Sequence, residues 1–171
     1  MLTPLYNTPE VFLRQFLDSF VNQTAPNGEL CLADASDAAH SSVEDIVREY
    51  QAKYQHIVYK KIENKGIAAN TNAAAELASG EYLALADHDD ILAPHAMYTM
   101  GQAIRQLREA GEPDGFLYSD EALFTKRSKS RWWPTSARLR PGLSALLQLH
   151  LPSGRVPAGA VRAGGRGTPR M

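Results

Sequence analysis

Cysteine is nearly absent from the 171-residue sequence: Cys31 stands alone, so no internal disulfide forms and a reducing compartment is expected. Long apolar runs are missing too. No stretch approaches the ~20 apolar residues of a membrane helix, and the N-terminus shows no charged-then-apolar leader; a cytoplasmic chain with no integral membrane segment is expected. Neither a Gly-x-x-x-x-Gly-Lys-Ser/Thr loop nor a Gly-x-Gly-x-x-Gly turn occurs. Phosphate, if bound, would therefore be held through a metal and not in a glycine cradle. Acidic residues stop abruptly, with none after Glu121.

That last absence exposes a division hidden by the formal net charge of −1. Residues 1–121 hold all nineteen acids against eight Lys and Arg, a net of −11, whereas the remaining fifty residues hold ten Lys and Arg, a net of +10. The composition, 44% hydrophobic and 22% charged, is that of a globular domain of ordinary size.

In the acidic part, helical and strand patterns alternate. Asn7-Thr8-Pro9-Glu10 reads as a helix start, a polar cap followed by Pro in the first turn. Phe12, Leu13, Phe16, Leu17, Phe20 and Val21 then form an apolar stripe at helical spacing. A strand is expected at 30–33, a helix at 42–50 with Val43, Ile46 and Val47 on one face, and a strand at 57–59. The turn Asn64-Lys65-Gly66 leads into an alanine-rich helix over 67–77. A strand at 82–86, a helix over 94–108 with Met97, Met100, Ile104 and Leu107 inward, and a strand at 115–118 complete the series. Strands separated by helices imply βαβ units and a mostly parallel sheet flanked by helices, an α/β fold.

The most informative stretch is Tyr82-Leu-Ala-Leu-Ala-Asp-His-Asp-Asp90, a buried strand that delivers Asp87, Asp89 and Asp90 to its C-terminal edge, where open α/β sheets bind ligands. Closely spaced carboxylates repel, and a divalent cation with a polyphosphate on its far side removes the repulsion. A plain acidic turn is the competing reading, and a calcium loop is a third, although the glycine and distal Glu of an EF-hand are missing. Two more loops fall at the same edge: Pro4-Leu5-Tyr6-Asn7-Thr8 after the first strand, and Asp34-Ala35-Ser36-Asp37 after the second. They could hold a base and a ribose, or simply be turns, with Asn7 and Thr8 capping a helix and Asp34 and Ser36 forming an Asx turn. His40, His56, His95 and His150 show no metal-ligand spacing.

The ordered set Pro4-x-Tyr6-Asn7-Thr8-Pro9, Glu29-Leu-Cys-Leu-Ala-Asp34, Asn64-Lys-Gly-Ile67 with Asn72, Gly80-Glu-Tyr with Asp87-His-Asp-Asp90, and Tyr118-Ser-Asp-Glu121 resembles the family 2 glycosyltransferases. The likeness is greatest to bacterial enzymes of O-antigen and surface-polysaccharide synthesis, rhamnosyltransferases among them, and covers residues 1–125. It implies a GT-A (Rossmann-like) nucleotide-sugar-binding fold, here truncated, and a UDP- or dTDP-sugar donor. It also implies a glycan or lipid-linked acceptor, work at the inner membrane surface, and Mg2+ or Mn2+. Carried over residue by residue, Pro4 and Tyr6 line the nucleotide pocket and Asp34 faces the base. Asn64, Gly66 and Asn72 shape the loop and helix beside ribose and phosphates. Asp87 and Asp89 are the Asp-x-Asp metal pair, Asp87 nearer the ribose, and His88 between them lines the same pocket.

Three departures from the family stand out. Asp34-Ala35-Ser36 has one acid where many relatives have two. The chain opens at Met1-Leu2-Thr3-Pro4, so most of the first strand is expected to be missing. Residues 126–171 form a basic, Arg/Gly/Pro-rich segment expected to lack order; its few lysines and Trp132-Trp133 argue against a nucleic-acid-binding arm, and no nucleic-acid partner is expected. A second account of this segment is translation out of frame, because moving the frame forward by one nucleotide at 147–151 permits Tyr-Asn-Tyr-Ile-Cys, which resembles family sequence. With no acid after Glu121, no general base is assigned. The alternative function is then a catalytically dead nucleotide- and metal-binding remnant.

Overall fold

A computed structural model describes residues 1–25 and 28–111, together with Leu117, Ser119 and the backbone of Leu149–His150. The strand β1 (Leu2–Leu5) is followed by α1 (Glu10–Val21), β2 (Leu30–Asp34), a short 3-10 turn (Ala38–His40), α2 (Ser42–Gln51), β3 (Ile57–Lys61), α3 (Ile67–Ala75), β4 (Leu83–Ala84) and α4 (Ala96–Glu109), with β5 at Leu149–His150. β1, β2 and β3 pair in parallel, Leu2 opposite Cys31 and Leu30 opposite Ile57. A parallel bridge joins Leu2 to Leu85, and the Ala86 N–H donates to the Leu2 carbonyl at 3.2 Å. The lateral order is thus β3, β2, β1, then the strand 83–86. The first strand, expected to be mostly lost, keeps four residues that pair with β2 along their whole length. β4 also pairs antiparallel with β5, which lies inside the basic segment.

β2 is buried at all five positions, as a parallel strand covered on both faces must be. Its side chains alternate. Leu30 and Leu32 join the α1 and α2 side, with Leu5, Leu13, Phe16, Leu17, Val43 and Val47, while Cys31 and Ala33 join Leu2, Ala74 and Leu83 on the α3 side. The small residues Cys31 and Ala33 meet an alanine-rich helix, so α3 can lie close to the sheet. The larger ones meet two helices that carry Leu, Phe and Val. α1 follows the expected stripe except at its start, where Phe12 is 46% exposed. Phe12 stands in the first turn, at the rim of the sheet and beyond the reach of the core.

The start of α1 departs from expectation. Its N-cap is Pro9, with no side-chain cap hydrogen bond, and Asn7 takes a left-handed conformation, φ 49°. Long-range partners, described below, outcompete the local cap for the Asn7 amide. The expected strand at 115–118 lies outside the described residues apart from Leu117, which is buried in the core; Asp120, Glu121 and nearly all of the basic segment also lie outside them.

Phe16 is fully buried between sheet and helices, so Phe16→Ala should cost about 3–5 kcal/mol. Urea unfolding should show a lower midpoint at unchanged slope.

Candidate functional site

The C-terminal ends of β3, β2, β1 and the strand 83–86 share one edge of the sheet, and the strand order reverses beside β1. Open α/β sheets bind ligands at such a switch point. Pro4 has a particular effect there. Leu2 and Pro4 turn their backbone groups toward the strand 83–86, and the Leu2 carbonyl takes the Ala86 N–H. The next ladder bond would need an N–H from residue 4, which proline lacks. Pairing stops at Ala86, and the chain is free to turn away at Asp87. Pro4, expected in the loop, instead lies with Leu5 within β1 and is half-buried, and Tyr6, next beyond the strand, is 48% exposed.

At the end of β2 the Asp34 carboxylate has no exposed surface. Oδ1 accepts from the Ser36 N–H (2.8 Å), forming the expected Asx turn. Oδ2 accepts from the Tyr59 hydroxyl (2.7 Å) and the Lys61 ammonium (2.8 Å), both on β3. Burial alone would raise the Asp34 carboxyl, but Lys61, Ser36 and Tyr59 outweigh it and hold the group below the usual carboxylate range. Burial and the adjacent carboxylate push the Tyr59 phenol up. A carboxylate accepts about four hydrogen bonds and three are made, so Asp34 is nearly saturated by Ser36, Tyr59 and Lys61.

The loop after β1 is tied to the loop after β2. The Asn7 N–H donates to Ser36 Oγ (2.8 Å), Asn7 Nδ2 donates to Asp37 Oδ2 (2.9 Å), and the Asp37 N–H donates to Asn7 Oδ1 (3.0 Å). Asp37 Oδ1 also accepts from the Ala39 N–H and meets the His40 ring at 2.6 Å. Hydrogen bonds from His40 and Asn7 hold the Asp37 carboxyl below its ordinary value.

After Ala86 the chain makes a tight turn, with the Asp90 N–H donating to the Asp87 carbonyl at 3.3 Å. The turn brings one carboxylate oxygen each of Asp87, Asp89 and Asp90 within 4.8 Å of one another, the first two exposed and the third half-buried. Three hard oxygen donors that close, open to solvent on one side, fit Mg2+ or Mn2+, which fill their remaining positions with water and phosphate oxygens. Asp90 is the acid that family likeness passed over and the turn brings in. The His88 Nδ1 is buried with no hydrogen-bond partner among the described residues. The segment that follows is pinned by Ser19 of α1 and by Gln23 and Thr24 just past its end. The Leu92 N–H donates to Ser19 Oγ, Gln23 Nε2 to the Ala93 carbonyl, the Met97 N–H to Gln23 Oε1, and the Thr24 N–H to the Pro94 carbonyl.

Beyond β3, Asn64 Oδ1 accepts from the Gly66 N–H and from Asn70 Nδ2, both at 3.0 Å, and Asn70 Oδ1 accepts from the Lys65 N–H at 3.1 Å. Gly66, at φ 88°, takes a conformation that side chains disfavour. Asn70, which the sequence reading did not single out, is buried and shapes this loop, whereas Asn72, two residues further along α3, is half-buried. Its helical position, four residues past Gly66, was the only clue to Asn70. A cavity of about 760 Å3 lined by Met1, Glu29, His56, Tyr82 and Met100 opens at the opposite edge of the sheet, where the strands begin. It is remote from the acids and takes no part in this site.

A family model described as Glycosyl transferase family 2 matches residues 1–159, a span that runs past residue 125 into the basic segment. A poly(ribitol-phosphate) beta-glucosyltransferase of Bacillus spizizenii is 31% identical over 99 residues, 57% of this chain and 16% of that protein. S. aureus TarS 1-349 in complex with UDP matches with a TM-score of 0.51 at 24% identity, over 63% of this chain and 31% of that one. The mannosyltransferase PcManGT from Pyrobaculum calidifontis, in complex with GDP-Man and Mn2+, matches with a TM-score of 0.51 at 24% identity, over 68% of this chain and 33% of that one. These likenesses establish a GT-A fold. The chain spans 13% to 31% of the first curated relatives it matches. Among the described residues no helix is long and apolar enough to cross a membrane.

Because the folded Asp34 carboxyl titrates below its ordinary value, its contribution to stability is complete above the unfolded pKa of about 3.9. It is lost as pH falls through the lower folded value. Lys61→Met should raise that folded value and cost about 1–3 kcal/mol at pH 7, a modest figure because Lys61 is 40% exposed. In urea unfolding the gap to the parent should close as pH falls below about 4; an equal gap at every pH would assign the loss to the lysine stem.

Proposed function

Since this chain belongs to glycosyl transferase family 2, we propose that it carries the nucleotide-sugar-binding half of a glycosyltransferase of cell-surface polysaccharide synthesis. The observation that carries the reading is the convergence of Asp87, Asp89 and Asp90 at the edge where Pro4 ends the pairing of two parallel strands. The two solved structures with the same fold hold UDP, and GDP-Man with Mn2+, which supports a nucleoside diphosphate-sugar as the donor.

In this proposal Tyr6 lays its exposed ring on the base beside Pro4, and Asp34 sets Lys61 and Tyr59 against the base and ribose. The loop of Asn64 and Gly66 shapes the floor of the ribose and phosphate pocket, with Asn72 and His88 further along its wall. Asp87, Asp89 and Asp90 present oxygens to Mg2+ or Mn2+, Asp87 lying nearest the strand and the ribose. The ion, when bound, acts as a Lewis acid that neutralises charge on the leaving diphosphate. The acceptor is a glycan or a lipid-linked glycan, reached at the cytoplasmic face of the membrane.

A second reading is a binding remnant without turnover: a base to deprotonate the acceptor hydroxyl is needed, and residues 122–171 supply no side-chain carboxylate. Titration of the chain with UDP, dTDP and GDP, with and without Mn2+, tests the donor site. Mn2+-dependent binding of one nucleotide is expected, and Asp89→Asn should weaken it by about tenfold or more, or ~1.4 kcal/mol. Absence of Mn2+-dependent binding to all three would overturn the reading. Sugar release or transfer by the same protein would remove the remnant alternative.

A further inference from the structure

We propose that Asn7 and Asp37 form a clasp between the loops after β1 and β2 that positions Tyr6 for the nucleotide, which makes Asn7 a positioning residue of the donor site. The proposal rests on the donor-site reading above and adds to it two residues with no assigned role. Among the described residues Asn7 alone, glycines apart, has a positive φ, 49°. Left-handed backbone is unfavourable for a non-glycine residue, although Asn tolerates it better than most, and such conformations persist where surrounding contacts hold them and function uses them.

The contacts here are long-range and reciprocal. Asn7 Nδ2 gives a hydrogen bond to Asp37 Oδ2 and Asn7 Oδ1 receives one from the Asp37 N–H, while the Asn7 N–H reaches Ser36 Oγ. Both partners are fixed from behind: Ser36 by its N–H on Asp34, and Asp37 by the Ala39 N–H and the His40 ring. None of these bonds supports α1, which starts at Pro9 without a side-chain cap. What they do fix is the direction of the chain immediately after Tyr6, a large ring left 48% exposed at the edge shared with Asp87, Asp89 and Asp90. An aromatic side chain exposed on a loop clamped in an unfavourable backbone conformation is arranged for something that covers it.

The test separates positioning from stability. Asn7→Gly keeps the left-handed backbone and removes the amide. Asn7→Asp sets two carboxylates against each other. The pair Asn7→Asp with Asp37→Asn restores the reciprocal bonds with the donor and acceptor side chains exchanged. Affinity for the nucleoside diphosphate that the parent binds with Mn2+, among UDP, dTDP and GDP, is measured beside the thermal midpoint. Asn7→Gly and Asn7→Asp should each weaken binding about tenfold, the double exchange should return to within about threefold of the parent, and Asn7→Gly should leave the midpoint nearly unchanged. In a Tyr6→Ala background, Asn7→Gly should cost nothing further. Unchanged affinity in both single variants, with the parent binding normally, overturns the clasp alone. A parent that binds no nucleotide overturns the clasp and the donor site together. Additive losses from Tyr6→Ala and Asn7→Gly would show that Asn7 does not act through Tyr6, and so also overturn the proposal.

Discussion

A carboxylate with no exposed surface ties together the edge of the sheet where its strands end. Asp34 ends the central strand, and its three hydrogen bonds reach in two directions, across to Tyr59 and Lys61 on β3 and forward to Ser36. Ser36 then accepts from Asn7, which brings in the loop after β1. Two loops and the end of β3 therefore hang on one ionised group. Such a group survives burial only when its charge is matched, because an uncompensated buried charge costs several kcal/mol. Lys61 supplies the match while its side chain stays partly exposed, so the network is anchored in the core and still ends at the surface.

The opening beside β1 arises from backbone chemistry more than from side chains. A parallel pair continues as long as both partners can donate and accept, and Pro4 cannot donate. The last ladder bond is at Ala86, the residue before the acids, so the end of pairing and the carboxylates coincide. Behind them, the run from Leu92 to Met97 is tied to Ser19, Gln23 and Thr24 near the end of α1. The acidic turn is consequently held on both sides, by a strand before it and a helix end after it. Convergence of like charges needs such restraint, since free carboxylates would move apart.

Much of this was legible in the sequence. Short apolar runs and period-3.6 stripes located α1 to α4 and β2 to β4, whereas β1 was expected to be mostly lost and the turn Ala38–His40 was not expected; the apolar run ending in Asp87 placed the acids at a strand end. Spacing carries that information because it is local. The role of Asn7 was not legible for the same reason: before a proline and a helix, Asn reads as a cap, and its true partner lies thirty positions away across a sheet. Asn70 was passed over for Asn72 because an alanine-rich helix gives little contrast between faces. Family likeness implied Asp34 as a site residue, yet its saturation by Tyr59 and Lys61 follows only from the parallel register that sets β2 beside β3.

The layering that brings α3 close to the sheet has a consequence for working with this protein. It places Cys31 on the inner face of the central strand with no exposed surface, and burial pushes its thiol up to about 11. Thiolate is the form that attacks reagents and oxidants, so at neutral pH the single native thiol is both protonated and enclosed. A second thiol introduced into any exposed loop would be the one that a maleimide or a spin label finds. The chain thus comes with a chemically silent background, suited to attaching probes one at a time along the edge where its loops meet.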